Sequence, residues 1–71
     1  MKFEAIVLTT TGDYLVEEGS QLHQQEKGIE LDSPHVINEE EKAQEVQAET
    51  VFVPYSSVEN VQHGEFEQET V

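Results

Sequence analysis

The chain has 71 residues, sixteen of them acidic against three lysines and no arginine, for a formal charge of −13. That length holds one domain, and the absence of cysteine removes both disulfide staples and thiolate metal sites. Broad electrostatic binding to a phosphate backbone rests on lysine and arginine, so this charge disfavours it.

A domain this small and uncrosslinked must gain stability from tight packing or self-association, and self-association is the reading favoured here. Met1-Lys2-Phe3-Glu4 reaches an acid before any long apolar stretch, so no signal peptide is expected. No run approaches the roughly eighteen apolar residues of a membrane span. The expectation is a soluble cytoplasmic protein without membrane partners.

Phe3-Glu4-Ala5-Ile6-Val7-Leu8 is too short for a stable helix and rich in strand formers. Phe3, Ala5 and Val7 fall on one face by the two-residue period, Ile6 and Leu8 on the other. A strand apolar on both faces predicts cover on both, by core on one side and by a partner subunit on the other. Gly12-Asp13 is a hairpin turn signal, and Tyr14-Leu15-Val16 the returning strand. Residues 17–28 are polar, with Leu22 their one large apolar residue and no helical stripe. They read as a loop bracketed by Gly19 and Gly28, carrying a turn of helix or a ragged strand.

Ile29-Glu30-Leu31-Asp32 alternates as a strand with one wet face, Ser33-Pro34 interrupts it, and His35-Val36-Ile37 resumes it. Residues 38–50 admit two readings. Asn38 with Glu41 fits a capping box opening a helix through Ala43, Val46 and Gln47, although Glu41 and Glu45 would then repel. The preferred alternative is a long hairpin with 38–42 at its tip and one strand from Gln44 into Val53. Val46, Ala48, Thr50 and Phe52 would share a face of that strand. Pro54 ends it, Tyr55-Ser56-Ser57 forms a turn of 3₁₀ helix, and Val58-Glu59-Asn60-Val61 is a last strand against the first. From Gln62 the chain is polar and acidic, which predicts disorder.

These strands and turns resemble a small Sm-like (LSm) barrel over most of the chain. Phe3 through Leu8, Gly12 and Tyr14-Leu15-Val16 are similar to the first half of the Sm core. Ile29-Glu30-Leu31 through Ile37 resembles its middle strand, and Val51 through Val61 its final strands around a tight turn. The opening, together with Phe52-Val53-Pro54-Tyr55, is closer to short Sm-like proteins of phage and metagenomic origin. The resemblance implies an all-β fold: a small five-stranded, strongly bent SH3-like barrel over 1–62 with a disordered acidic tail over 63–71. It also implies a homo-oligomeric ring formed through edge strands.

Two departures bear on function. Sm proteins that bind RNA carry an Asp/aromatic/Asn group in one loop and an Arg-Gly pair in another. Here the later position holds Pro54-Tyr55-Ser56-Ser57, and residues 28–32 contain no Asn. The RNA pocket does not carry over residue by residue.

Little else in the sequence suggests chemistry. His23, His35 and His63 form no close pair of the kind metal sites use. Glu39-Glu40-Glu41 lacks the alternating ligands and turn glycine of a calcium loop. No nucleophile elbow, phosphate loop or Cys/His pairing occurs, so neither an enzyme nor a cofactor is expected. Tyr55, Ser56 and Ser57 are the candidate nucleic-acid contacts, an aromatic to stack a base and hydroxyls to bond its edge. The competing reading packs Tyr55 under the barrel and spends the serines on the turn. Two functions survive: an oligomeric Sm-like interaction module contacting RNA or single-stranded DNA through a ring face, and an acidic adaptor or nucleic-acid mimic. The second would bind a basic protein partner through acids such as Glu39, Glu40 and Glu41.

Overall fold

A computed structural model describes residues 1–19 and 22–71. The first sheet contains β1 (Lys2–Thr9), β2 (Gly12–Glu17), β5 (His35–Ile37), β6 (Ala43–Glu45) and β8 (Val58–Glu67), in the order β6-β5-β2-β1-β8. The second contains β3 (Leu22–Gln24), β4 (Gly28–Asp32) and β7 (Thr50–Pro54), in the order β3-β4-β7. Every ladder is antiparallel. A 3₁₀ turn, Tyr55–Ser57, joins β7 to β8. The all-β expectation holds, in two sheets rather than five strands closed as a barrel. Among the described residues the outer strands β8 and β6 of the first sheet are linked only through the segment after β8, by the isolated parallel bridge Ala43↔Thr70.

The main core lies between the sheets. Ala5, Val7 and Val16 meet Ile29, Leu31 and Val53, all buried, and Tyr14, Leu22, Val51, Val58 and Val61 ring them. A second cluster joins Phe3, Leu15 and Ala43 with half-buried Ile6 and Phe66. Phe3 therefore does not share the packing of Ala5 and Val7, because a register shift between Phe3 and Ala5 separates them. On the far face of β1, Ile6 packs against this cluster of the chain's own residues.

The first turn also sits elsewhere than Gly12-Asp13. Thr9 pairs with Gly12, leaving Thr10 and Thr11 as the loop. Thr9 Oγ1 accepts from Thr11 N–H at 3.2 Å and donates to Gly12 O at 2.5 Å, so a buried side chain fixes the turn. The polar stretch after β2 carries a ragged strand, β3, and among its described residues no helix.

Residues 38–42 are a hairpin tip. Asn38 Oδ1 accepts from Glu40 N–H at 2.9 Å and Lys42 N–H at 3.0 Å, closing a loop instead of capping a helix. The strand beyond does not run unbroken from Gln44 to Val53. It stops at Glu45, crosses between sheets at 46–49 and restarts at Thr50. The faces are opposite to those expected: Val53 is buried and Val51 half-buried, while Ala48, Thr50 and Phe52 are exposed.

The expected disordered tail is a further correction. β8 continues to Glu67, across the expected boundary at 62, because β1 is long enough to pair it down to Lys2. Beyond it, Gln68 N–H donates to Met1 O at 3.1 Å, and Phe66 is half-buried on the second cluster.

Candidate interaction surface

The 3₁₀ turn is tied at both ends. Tyr55 N–H donates to Lys27 O at 3.1 Å, and Ser57 O accepts from Thr10 N–H at 2.9 Å. The Tyr55 hydroxyl donates to Gln25 O at 2.6 Å, yet the residue stays 43% exposed. It is thus neither buried beneath the fold nor free: one edge is bonded to the β3–β4 turn. Ser56 is exposed and Ser57 half-buried.

Beside Tyr55 stands Phe52, 48% exposed, on the outer face of the second sheet. Its strand partner is Glu30, whose own partner across the sheet is His23. Gly28 lies under the ring: a Cβ there would stand 2.6 Å from Phe52 Cζ. Phe52 and Tyr55 therefore flank the 25–28 turn, which also carries exposed Lys27. The sequence reading missed Phe52, Lys27 and Gly28. An assumed unbroken strand pointed Phe52 inward, and Gly28 stood only as a loop bracket.

Glu39, Glu40 and Glu41 are exposed at the β5–β6 tip in the first sheet, on a different element from Tyr55. The histidines do not converge. His23 Nε2 lies 3.4 Å from Asp32 Oδ2, His35 is buried edge-to-face against Phe3, and His63 is exposed on β8. Among the described residues no three His, Asp or Glu side chains gather as metal ligands, and no helix is long and apolar enough to cross a membrane.

No family model matches this chain, and no curated protein or solved structure matches it. Its own geometry is the guide to function.

The strand edges differ in what they offer. Directly opposed residues in an antiparallel pair alternate between exchanging two backbone bonds and none. Tyr55 N–H donates to Lys27 O and Ser33 N–H to Glu49 O, at the two ends of the β4–β7 register. Those bonds place Val51 and Val53 in the bonded pairs, so Thr50 and Phe52 turn both N–H and C=O away from β4, while Pro54 turns out a carbonyl alone. That edge is regular. β8 instead carries two register shifts against β1 and the acids Glu59, Glu65 and Glu67, features that blunt an edge. β3 spans three residues among those described, and Ala43 of β6 already bonds the segment after β8.

Proposed function

We propose that the protein is an Sm-like, SH3-like interaction module that assembles with copies of itself by adding a strand to the edge of β7. The observation that carries this reading is the outward N–H and C=O of Thr50 and Phe52, with the Pro54 carbonyl at the end of the row. A strand from a second copy would bond that row as a ladder, which stabilises without any buried side chain. The resulting assembly would leave the Phe52 ring, Tyr55 and Ser56 on an exposed face beside Lys27, an aromatic spot able to stack single-stranded RNA or DNA. Solution mass by analytical ultracentrifugation tests the assembly. An oligomer is expected, and Thr50→Pro should dissociate it without unfolding, because the N–H removed faces outward. A monomer at several hundred micromolar would end the assembly reading, and no binding of a fluorescent oligonucleotide at low salt would end the nucleic-acid one.

A second reading, an acidic adaptor for a basic protein, is favoured by Glu39, Glu40 and Glu41 standing exposed on one hairpin tip. The Gln68 amide donates from the acidic tail to Glu41 O at 2.5 Å, which brings a second acidic segment beside them. Salt-sensitive capture of a basic protein, lost on changing the three glutamates to glutamine, tests it.

A further inference from the structure

The segment following β8 meets the outer edge of β6 through one isolated parallel bridge, Ala43↔Thr70. Ala43 N–H donates to Glu69 O at 2.7 Å, and Val71 N–H donates to Ala43 O at 3.0 Å. Both backbone groups of Ala43 thus face outward. Val46 N–H, donating to Pro34 O, marks the even positions as facing β5. By the same alternation Glu45 turns its backbone groups outward, in line with Ala43 but one step beyond the bridge. At this point a groove of about 390 Å³ opens, lined by Gln44, Glu45, Val46, Gln47 and Val71. Residues 69–71 thus bond Ala43 on this edge, and Glu45 presents the next outward groups.

The tail is loosely held for its position. Glu67, Glu69, Thr70 and Val71 are exposed, so backbone bonds and the Gln68 amide hold it without burying a large side chain. Its charge is also wrong. Glu67 and Glu69 run beside an edge flanked by Glu39, Glu40, Glu41 and Glu45, in a chain of net charge −13. Like charges at this spacing weaken the pairing, and an extended segment of opposite charge would gain what the tail loses.

We propose that the β6 edge is a docking groove for an extended, lysine- or arginine-bearing segment of a partner protein, and that residues 68–71 occupy it as a competing internal strand. The partner strand takes the bonds of Ala43 and Glu45 and sets its basic side chains against the flanking glutamates. The inference rests on the basic-partner reading above and gives that reading a location.

The probe is a fluorescent seven-residue peptide alternating lysine with threonine, titrated by anisotropy into three forms of the protein. These are the intact chain, a chain ending at Glu67, and the intact chain carrying Val71→Pro, which removes one tail bond if the shortened chain fails to fold. Binding at least tenfold tighter to the shortened or Val71→Pro form is expected, and Glu45→Pro in that form should remove most of the gain. A glutamate–threonine peptide should bind at least tenfold more weakly than its lysine counterpart. Equal affinity of the lysine peptide for all forms, lost with Glu39, Glu40 and Glu41 changed to glutamine, would overturn the groove and leave the basic-partner reading standing. No binding to any form at millimolar concentration would overturn both.

Discussion

Gly28 and Phe52 are locked together across β4 and β7: no side chain fits on Gly28 without displacing the ring. A Cβ there would also meet Val53 O and stand 2.8 Å from Pro54 Cα. The ring can swing aside, but the backbone of β7 cannot. Gly28→Ala should therefore cost about 1–3 kcal/mol, the range for overpacking. Gly64 is the control, because a Cβ there meets only Phe66 ring atoms at 3.5 and 3.7 Å, ordinary contact. Gly64→Ala should be neutral or stabilise by about 0.5 kcal/mol through the unfolded chain. Urea midpoints of the two variants check the contrast, and equal effects would refute it.

How much was legible in the sequence follows from the range of each signal. The two-residue alternation of Ile29-Glu30-Leu31-Asp32 reports burial directly, and β4 has the faces it implies. The 3₁₀ turn after Pro54 and the return of β8 to β1 were likewise legible, since proline and the β-branched run are local signals. Register was not. Thr9, not Gly12-Asp13, sets the first turn through a side-chain bond that composition does not announce. The parity of Val51-Phe52-Val53 is opposite to the one Val46 and Ala48 suggest, and that hid the exposed aromatic at Phe52. The length of β8 escaped notice because its outer positions are polar, and only β1 opposite explains why 62–67 stay paired.

Tyr55 separates structure from recognition. Tyr55→Phe removes the hydroxyl bonded to Gln25 O and should cost about 1 kcal/mol or less, since the freed carbonyl is near solvent. The ring survives, so stacking on a base would persist. Tyr55→Ala would lose about 1–3 kcal/mol of stacking per base, roughly 5- to 150-fold in affinity. Oligonucleotide titrations of both variants, run beside thermal melts, distinguish the roles. Equal binding by the alanine variant and the parent would remove Tyr55 from any nucleic-acid face.

His35 and Phe3 form a buried ring pair at the second core cluster but contribute unequally. The rings meet edge-to-face with centroids 5.2 Å apart, yet His35 Nδ1 is buried without a hydrogen-bond partner. A buried unpaired polar atom is a cost that an apolar side chain of similar size does not carry. His35→Leu should leave stability within about 1 kcal/mol of the parent or raise it. Phe3→Ala removes a fully buried ring and should cost about 3–5 kcal/mol, enough to unfold a domain of marginal stability. Denaturant melts decide this. A His35→Leu loss as large as that of Phe3→Ala would mean the imidazole makes a bond that this geometry lacks.

The parity of β7 makes the sharpest test of the fold. An unbroken strand from Gln44 would place Ala48 and Phe52 in the core. With the crossing at 46–49, Val53 is 4% exposed and packs against Ile29 and Leu31, while Ala48 is at the surface. Val53→Asp would bury a carboxylate with no partner, and the domain should fail to fold. Ala48→Asp should change stability by no more than about 0.5 kcal/mol, as ordinary surface substitutions do. Val53→Ala, milder, should cost about 2 kcal/mol for the two methyl groups lost. Far-ultraviolet circular dichroism with urea titration reads all three. If Ala48→Asp unfolds the chain and Val53→Asp does not, the strand runs unbroken, Phe52 points inward, and the β7 edge proposed for assembly presents the opposite set of backbone groups.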